Sequence, residues 1–298
     1  MIWIIQSAIS QGILWGIMAL GVYITFRVLN FADLTVDGSF TLGGAVSAVL
    51  VMNGVNPLLA VLIAMIGGMV AGMCTGFLNT KLHIPTLLAG ILTQIALYSI
   101  NLRIMGSPNI SLLRIGTIFS DLKDMGFPDR WVIMFLAIVI TAIVIALMYW
   151  FFGTEIGSAI RATGDNPRMI KALGVNTDTT TILALVLGNG LVALSGALIA
   201  QQQGYGDIGM GTGAIVIGLA AIIIGEVLFF KSNFYLRLIG VILGAVVYRI
   251  VIALVLKMGL NSTDMKILTA ILVALALYLP TLKSRAQHYN LRRRNLGA

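Results

Sequence analysis

Gly38-Ser-Phe-Thr-Leu-Gly-Gly-Ala-Val-Ser-Ala-Val-Leu-Val-Met52, the turn Asn53-Gly-Val-Asn-Pro57, and Leu58-Leu-Ala-Val-Leu-Ile-Ala-Met-Ile-Gly-Gly-Met-Val-Ala-Gly-Met-Cys-Thr-Gly-Phe-Leu-Asn-Thr80 run together for forty-three residues without one Asp, Glu, Lys, Arg or His. A globular core has no use for so long an uncharged stretch. A bilayer does, because a helix needs about 20 apolar residues to cross ~30 Å of hydrocarbon. The Asn/Gly/Pro cluster is a turn signal. The stretch therefore reads as two spanning helices joined by a hairpin.

Composition agrees: the 298 residues are 59% hydrophobic and only 10% charged, with a mean hydropathy of +1.00. Such a surface would aggregate in water. The net charge of +8 does not argue for nucleic acid, because the basic residues are not interleaved with aromatics. Lys283, Arg285, Arg292, Arg293 and Arg294 lie in a C-terminal tail (283–298), which suits anionic lipid headgroups or cytoplasmic retention. The single cysteine, Cys74, lies in an apolar run and allows no intrachain disulfide. No basic segment precedes the first apolar stretch, so a cleaved signal peptide is not expected.

Uncharged runs predict an all-α polytopic bundle of about nine transmembrane helices, within a range of eight to ten. The nine are Trp3–Phe26, Leu34–Met52, Leu58–Thr80, Pro85–Leu102, Trp131–Phe152, Thr180–Gln203, Thr212–Phe230, Tyr235–Leu256 and Ile267–Leu282. They form one domain over 1–298. The Lys/Arg bias of the loops places Arg27, Lys81, the 155–178 loop and the tail in the cytoplasm, and the N-terminus outside. Glycines at helix-packing spacing (Gly12/Gly16, Gly68/Gly72/Gly76, Gly209/Gly213, Gly240/Gly244) suit close approach of helices in lipid.

The 155–178 loop contains a punctuated short helix. Asp165 or Asn166 supplies an N-cap and Pro167 suits the first helical position. Gly174 stands where a left-handed C-cap residue belongs. Met169, Ile170 and Leu173 offer an apolar face; Arg168 and Lys171 offer cations. A helix this short is marginal in water, so it must dock onto something.

Arg161-Ala-Thr-Gly-Asp-Asn-Pro167, Ala172-Leu-Gly-Val-Asn176, Ala193-Leu-Ser-Gly-Ala-Leu198 and Asn30-Phe-Ala-Asp-Leu-Thr-Val-Asp-Gly-Ser-Phe-Thr-Leu-Gly-Gly44 resemble the permease subunits of ABC importers for branched-chain amino acids and ribose-type sugars. The similarity covers nearly the whole chain in order and spacing. Within that family the chain is most similar to a subgroup assigned to aromatic amino acids such as tryptophan or tyrosine. The resemblance implies a type II importer permease of the bacterial cytoplasmic membrane, working as a dimer, with two copies or a relative as the second half. ATPase subunits and an external substrate-binding protein are the implied partners. It also implies that Arg161, Thr163, Gly164, Asp165, Asn166, Pro167, Met169, Leu173 and Gly174 form the ATPase-coupling segment, with Met169 and Leu173 filling the partner's groove. The chain holds no G-x-x-x-x-G-K-[ST] loop, so ATP and Mg²⁺ are expected on the separate ATPase, with no cofactor here.

Ionisable and polar groups at membrane depth are functional candidates. Asp33 and Asp37 open the second span amid Asn30, Thr35, Ser39 and Thr41, and by resemblance this segment lines the translocation route. Asp37 is placed to meet a substrate ammonium or to hold unwound backbone; a helix start at the interface is the plain alternative. Gln94, Asn189 and Gln202 are expected either to bond a neighbouring helix or to line the path. Asp207-Ile-Gly-Met-Gly-Thr-Gly213 weakly echoes the second span's start, as an inverted repeat would. Glu226 and Arg249 lie on consecutive spans, where they can pair. Arg103 to Arg130 is an external linker or a dock for a binding protein. An ion-coupled secondary transporter is the competing class, but the acids cluster at span ends rather than in a relay. No H-E-x-x-H or G-x-S-x-G supports an enzyme, and His83 reads as a helix-start residue.

Overall fold

The structure is a computed structural model describing residues 2–113, 115–124, 129–228 and 233–257, with isolated positions between 267 and 278. The elements in order are α1 (Ile2–Val22), a π-helical continuation (Tyr23–Val28), α2 (Thr35–Met52), α3 (Pro57–Thr80), α4 (Thr86–Met105), β1 (Asn109–Ser111), α5 (Ile118–Asp124) and α6 (Asp129–Gly153). There follow α7 (Glu155–Asp165), α8 (Pro167–Ala172), α9 (Thr177–Gln203), β2 (Tyr205–Asp207), α10 (Ala214–Leu228) and α11 (Phe234–Lys257). The α2–α3 hairpin forms where expected. Asn56 Oδ1 accepts from the Leu58 N–H at 2.9 Å, Pro57 takes the first helical position, and Gly54 adopts φ +79°.

Seven described helices are long and apolar enough to cross a membrane, which makes the chain a multi-pass membrane protein. The expected ninth span, Ile267–Leu282, and the basic tail lie almost entirely outside the described residues. The bundle sorts its helices against hydropathy. The first two spans, among the least apolar, are 83% and 72% buried, whereas α6, the most apolar, is 33% buried. Lipid accepts apolar surface freely, so polar side chains and small residues, not grease, go inside.

The long helix α9 is the axis of this packing. Ile182, Leu185 and Asn189 of α9 meet Gly76, Gly72 and Gly68 of α3, the order of an antiparallel pair. Backbones approach so closely there that a Cβ on Gly72 would overlap the Leu185 carbonyl. Along α2 the order is parallel: Ser39 faces Asn189, Gly43 faces Ala193 and Ser47 faces Gln201. Lys81 at the end of α3 pairs with Asp178 at the start of α9 at 3.1 Å. Thr163 of α7 bonds Thr180 of α9 at 2.9 Å. Arg27, Lys81 and the 155–178 segment thus share one end of the bundle, as the loop charges required.

Two expectations of extent change. Within the predicted span Thr212–Phe230 the described helix is Ala214–Leu228, 15 residues and about 22 Å long; Phe229 and Phe230 lie outside the described residues. The chain after Gln203 does not stay at that end of the bundle. It runs back along α2, with Gly206 against Ala48, Met210 against Gly44 and Gly211 against Thr41 and Asp37, a descent of about 16 Å. Glycines at 206, 209, 211 and 213 disfavour a helix, at up to ~1 kcal/mol each, and the surrounding protein satisfies the exposed backbone. Gly209 and Gly213 are therefore not a helix-packing pair; Gly213 sits at φ +85° before the helix begins. The stretch after Arg103 is also more than a linker. Residues 109–111 pair antiparallel with 205–207, and the Ile118 N–H donates to Gln201 Oε1 at 3.1 Å.

Candidate functional site

Asp33, Thr35 and Asp37 reach three different environments although they lie within one turn. Asp33 is 2% exposed. It accepts from the Thr35 N–H at 2.9 Å and from Asn189 Nδ2 at 2.7 Å. Ser39 Oγ donates to Asn189 Oδ1 at 2.7 Å. The hydroxyls of Thr35, Thr75 and Thr93 chain α2, α3 and α4 together at 2.7 and 2.9 Å. Asp33, Ser39 and Asn189, expected on the path, form a buried hydrogen-bonded network between the start of α2 and α9.

Asp37 points the other way. Its two carboxylate oxygens accept from the backbone N–H groups of Gly213 at 2.8 Å and Ile215 at 2.9 Å, so it closes the open start of α10. Helix N-termini present unpaired N–H groups and partial positive charge, which a carboxylate satisfies. The Gly211 N–H donates to Thr41 Oγ1 at 3.1 Å. Both side chains line a cleft of about 390 Å³ between α2, α4 and the 208–212 segment, with Gln94, Tyr98, Asn101 and Thr212. Asn101 Nδ2 donates to the Gly38 carbonyl at 3.2 Å, and its Oδ1 is buried without a partner. The lining thus combines a carboxylate with amides and hydroxyls that donate and accept, chemistry suited to a small solute carrying both charges. Tyr98, Asn101 and Thr212 escaped the sequence reading. Gln94, Tyr98 and Asn101 at i, i+4 and i+7 on one helix face were the available signal. Among the other predicted path residues, Asn30 is exposed at the Arg27 end with φ +57°. Gln202 lies near the opposite end of α9 with a buried, unpartnered Oε1.

At the Arg27 end the expected short helix forms, paired with a second one that the sequence reading missed. Thr154 caps α7 through its hydroxyl, which accepts from the Gly157 N–H at 3.3 Å. Gly157, Ile160 and Thr163 face inward, and Gly164 lies against the Val28 carbonyl, where a Cβ would overlap it. Of the two candidate caps for α8, Asn166 is the one: its Oδ1 accepts from the Met169 N–H at 3.1 Å, whereas Asp165 ends α7. Pro167 follows at the first position, and Gly174 adopts φ +86°. The apolar face divides. Ile170 is 7% exposed and anchors α8 to the bundle, while Met169 and Leu173 are 51% and 71% exposed. Arg161 turns inward, donating to the Phe152 carbonyl and lying 5.3 Å from the Phe234 ring centroid.

The pairing of Glu226 with Arg249 does not occur. Glu226 pairs with Arg27 at 2.6 Å. Gly225 packs against Gly240, so Arg249 lies about 14 Å further along α11.

Residues 4–285 match a family model described as the permease component of branched-chain amino acid transport systems. A tyrosine transport system permease protein of Clostridioides difficile is 42% identical over 90% of this chain and 88% of its own. An uncharacterized protein of Rickettsia prowazekii is 34% identical over 92% of this chain and 96% of its own. An autoinducer 2 import system permease protein of Yersinia pseudotuberculosis is 30% identical over 77% of this chain and 63% of its own. Among solved structures, an inward-facing ABC transporter of metal-chelate type shares the fold at a TM-score of 0.51 and 14% identity, covering 94% of this chain and 85% of that one.

Proposed function

Because the chain belongs to the family of permease components of branched-chain amino acid transport systems, we propose that it is the membrane subunit of an ATP-driven importer whose cargo is an amino acid. The observation that carries this reading is the exposed pair Met169 and Leu173 on a helix capped by Asn166 and anchored by Ile170. Two large apolar side chains held out from a polar bundle end are costly unless a partner's groove takes them. An ATPase subunit, holding ATP and Mg²⁺, is that partner. Its closure pulls on α7 and α8, which pack against α9 and the end of α1, and tilts the spans around the cleft.

The cleft supports the cargo class. An amino acid's ammonium suits Asp37, and its carboxylate suits the amide and hydroxyl donors of Gln94, Tyr98 and Asn101. The polarity of α4 adds support. It is among the least apolar spans yet only 28% buried, so its polar face requires either a water-filled path or a second permease copy. The 42% identical tyrosine permease favours an aromatic amino acid, delivered by an external binding protein; nucleosides or sugars are the second reading.

The experiment is co-purification with the ATPase subunit and ATP-dependent uptake of labelled tyrosine into proteoliposomes. Replacing Asp165 and Asn166 together by Ala, or Met169 and Leu173 together by Ala, is expected to weaken ATPase assembly and uptake while leaving the permease folded. Unchanged assembly and uptake, or uptake driven by an ion gradient without ATP, refutes the proposal.

A further inference from the structure

Arg249 sits in the interior of the apolar helix α11. Its Cζ stands 4.2 Å from the ring centroid of Trp15, which is itself 7% exposed. A cation over an aromatic face is stabilised, but that contact supplies no counter-charge. The guanidinium Nε is enclosed without an acceptor. Among the described residues, the ion pairs use Arg27 and Lys81, and none uses Arg249. A cation at membrane depth without a carboxylate is expensive and calls for an anion from elsewhere.

A cavity of about 510 Å³ beside it shows where that anion enters. It follows the seam of α1 and α11 and is lined by Trp3, Ser7, Gln11, Arg249, Leu256 and Lys257 among others. Gly12 meets Val246 and Gly16 meets Ile242, so the two helices run antiparallel and Lys257 lies beside the start of α1. Arg249 is therefore about 12 Å deeper than Lys257. Trp3 marks the rim, as aromatic residues do at a membrane surface. Cations at two depths, the Ser7 hydroxyl between them, the Gln11 amide beside the deeper one, and apolar walls from Ile4, Ala8 and Ile252 match a charged headgroup with acyl chains behind it. A soluble anion would leave those walls against water.

We propose that this seam binds the phosphate of an anionic phospholipid in the leaflet opposite the α7–α8 end, held by Arg249 and Lys257, with Ser7 and Gln11 donating to its oxygens. The bound lipid supplies the charge that Arg249 lacks among the described residues and locks α11 to α1, whose π-helical continuation carries Arg27 and packs on α7.

The full chain in nanodiscs of phosphatidylcholine alone, or with added phosphatidylglycerol, tests this by native mass spectrometry and thermal unfolding. The wild type is expected to retain phosphatidylglycerol and to melt higher as its fraction rises. Arg249→Gln and Lys257→Gln are each expected to lower retention about fivefold, from about one unit of surface charge attraction apiece, and to flatten the melting response. Arg249→Lys, which keeps the charge, should retain most of the lipid, and Arg103→Gln should behave as wild type. Should Arg249→Gln fail to accumulate, exposed Lys257 carries the test alone. Retention and melting unchanged in Lys257→Gln would overturn the proposal. So would equal stabilisation by inorganic phosphate in phosphatidylcholine discs, because the ligand would then be a free anion.

Discussion

Replacing Asp37 by Ala removes both acceptors that hold the first turn of α10, the Gly213 and Ile215 N–H groups at 2.8 and 2.9 Å. A hydrogen bond to a charged acceptor contributes about 1.5–3 kcal/mol. Asp37 is half-buried, so the low end applies, giving about 3 kcal/mol for the two. The loss is local, because α10 begins there and α9 does not depend on it. Hydrogen exchange of a peptide spanning 208–218 is the suitable assay, since opening of that turn then becomes about 100-fold more frequent. Asp37→Asn keeps one side-chain oxygen as an acceptor and is expected to speed exchange about tenfold. Amides in the middle of α9 are expected to exchange as before. Exchange at 208–218 unchanged in Asp37→Ala would show that the carboxylate does not hold this helix. Acceleration spread evenly over the bundle would show that α10 is not the element it holds.

Asn189→Leu strands the buried Asp33 carboxylate and is expected to cost about 3–5 kcal/mol, seen as lost accumulation or a lower melting point; adding Asp33→Ala should recover part but not all of the loss, because it removes the stranded charge while the Thr35 N–H and the Ser39 hydroxyl lose their acceptors. Gly72→Ala forces α3 from the Leu185 backbone and is expected to destabilise by about 2 kcal/mol. Gly67→Ala on the same helix, whose Cβ would meet only Leu42 at 3.6 Å, should be neutral or stabilising by melting point.

The membrane character, the α2–α3 hairpin, the grouping of Arg27 with Lys81 and the 155–178 loop at one end of the bundle, and the capped α8 were all legible in the chain. Each rests on local chemistry: an uncharged run, an Asn-Pro start, a Gly end, or the sign of loop charges. Less was legible where one residue type serves two purposes. Asp33 and Asp37 look alike in sequence, yet one is sealed against Asn189 and the other faces the cleft. Met169, Ile170 and Leu173 read as one apolar face, yet Ile170 anchors the helix and the other two stand free. Thr212–Phe230 has the hydropathy of a span, yet its first residues belong to a segment folded back into the bundle.

Hydropathy alone decided that this chain lives in a bilayer and how most of its length is divided into helices, because transfer into hydrocarbon is nearly additive along the sequence. It did not decide which polar residues meet each other and which meet a solute. In lipid no hydrophobic force sorts helix faces, so that choice falls to backbone contact at small residues such as Gly43, Gly72 and Gly211. Those contacts join positions more than a hundred residues apart, and only the assembled bundle brings them together.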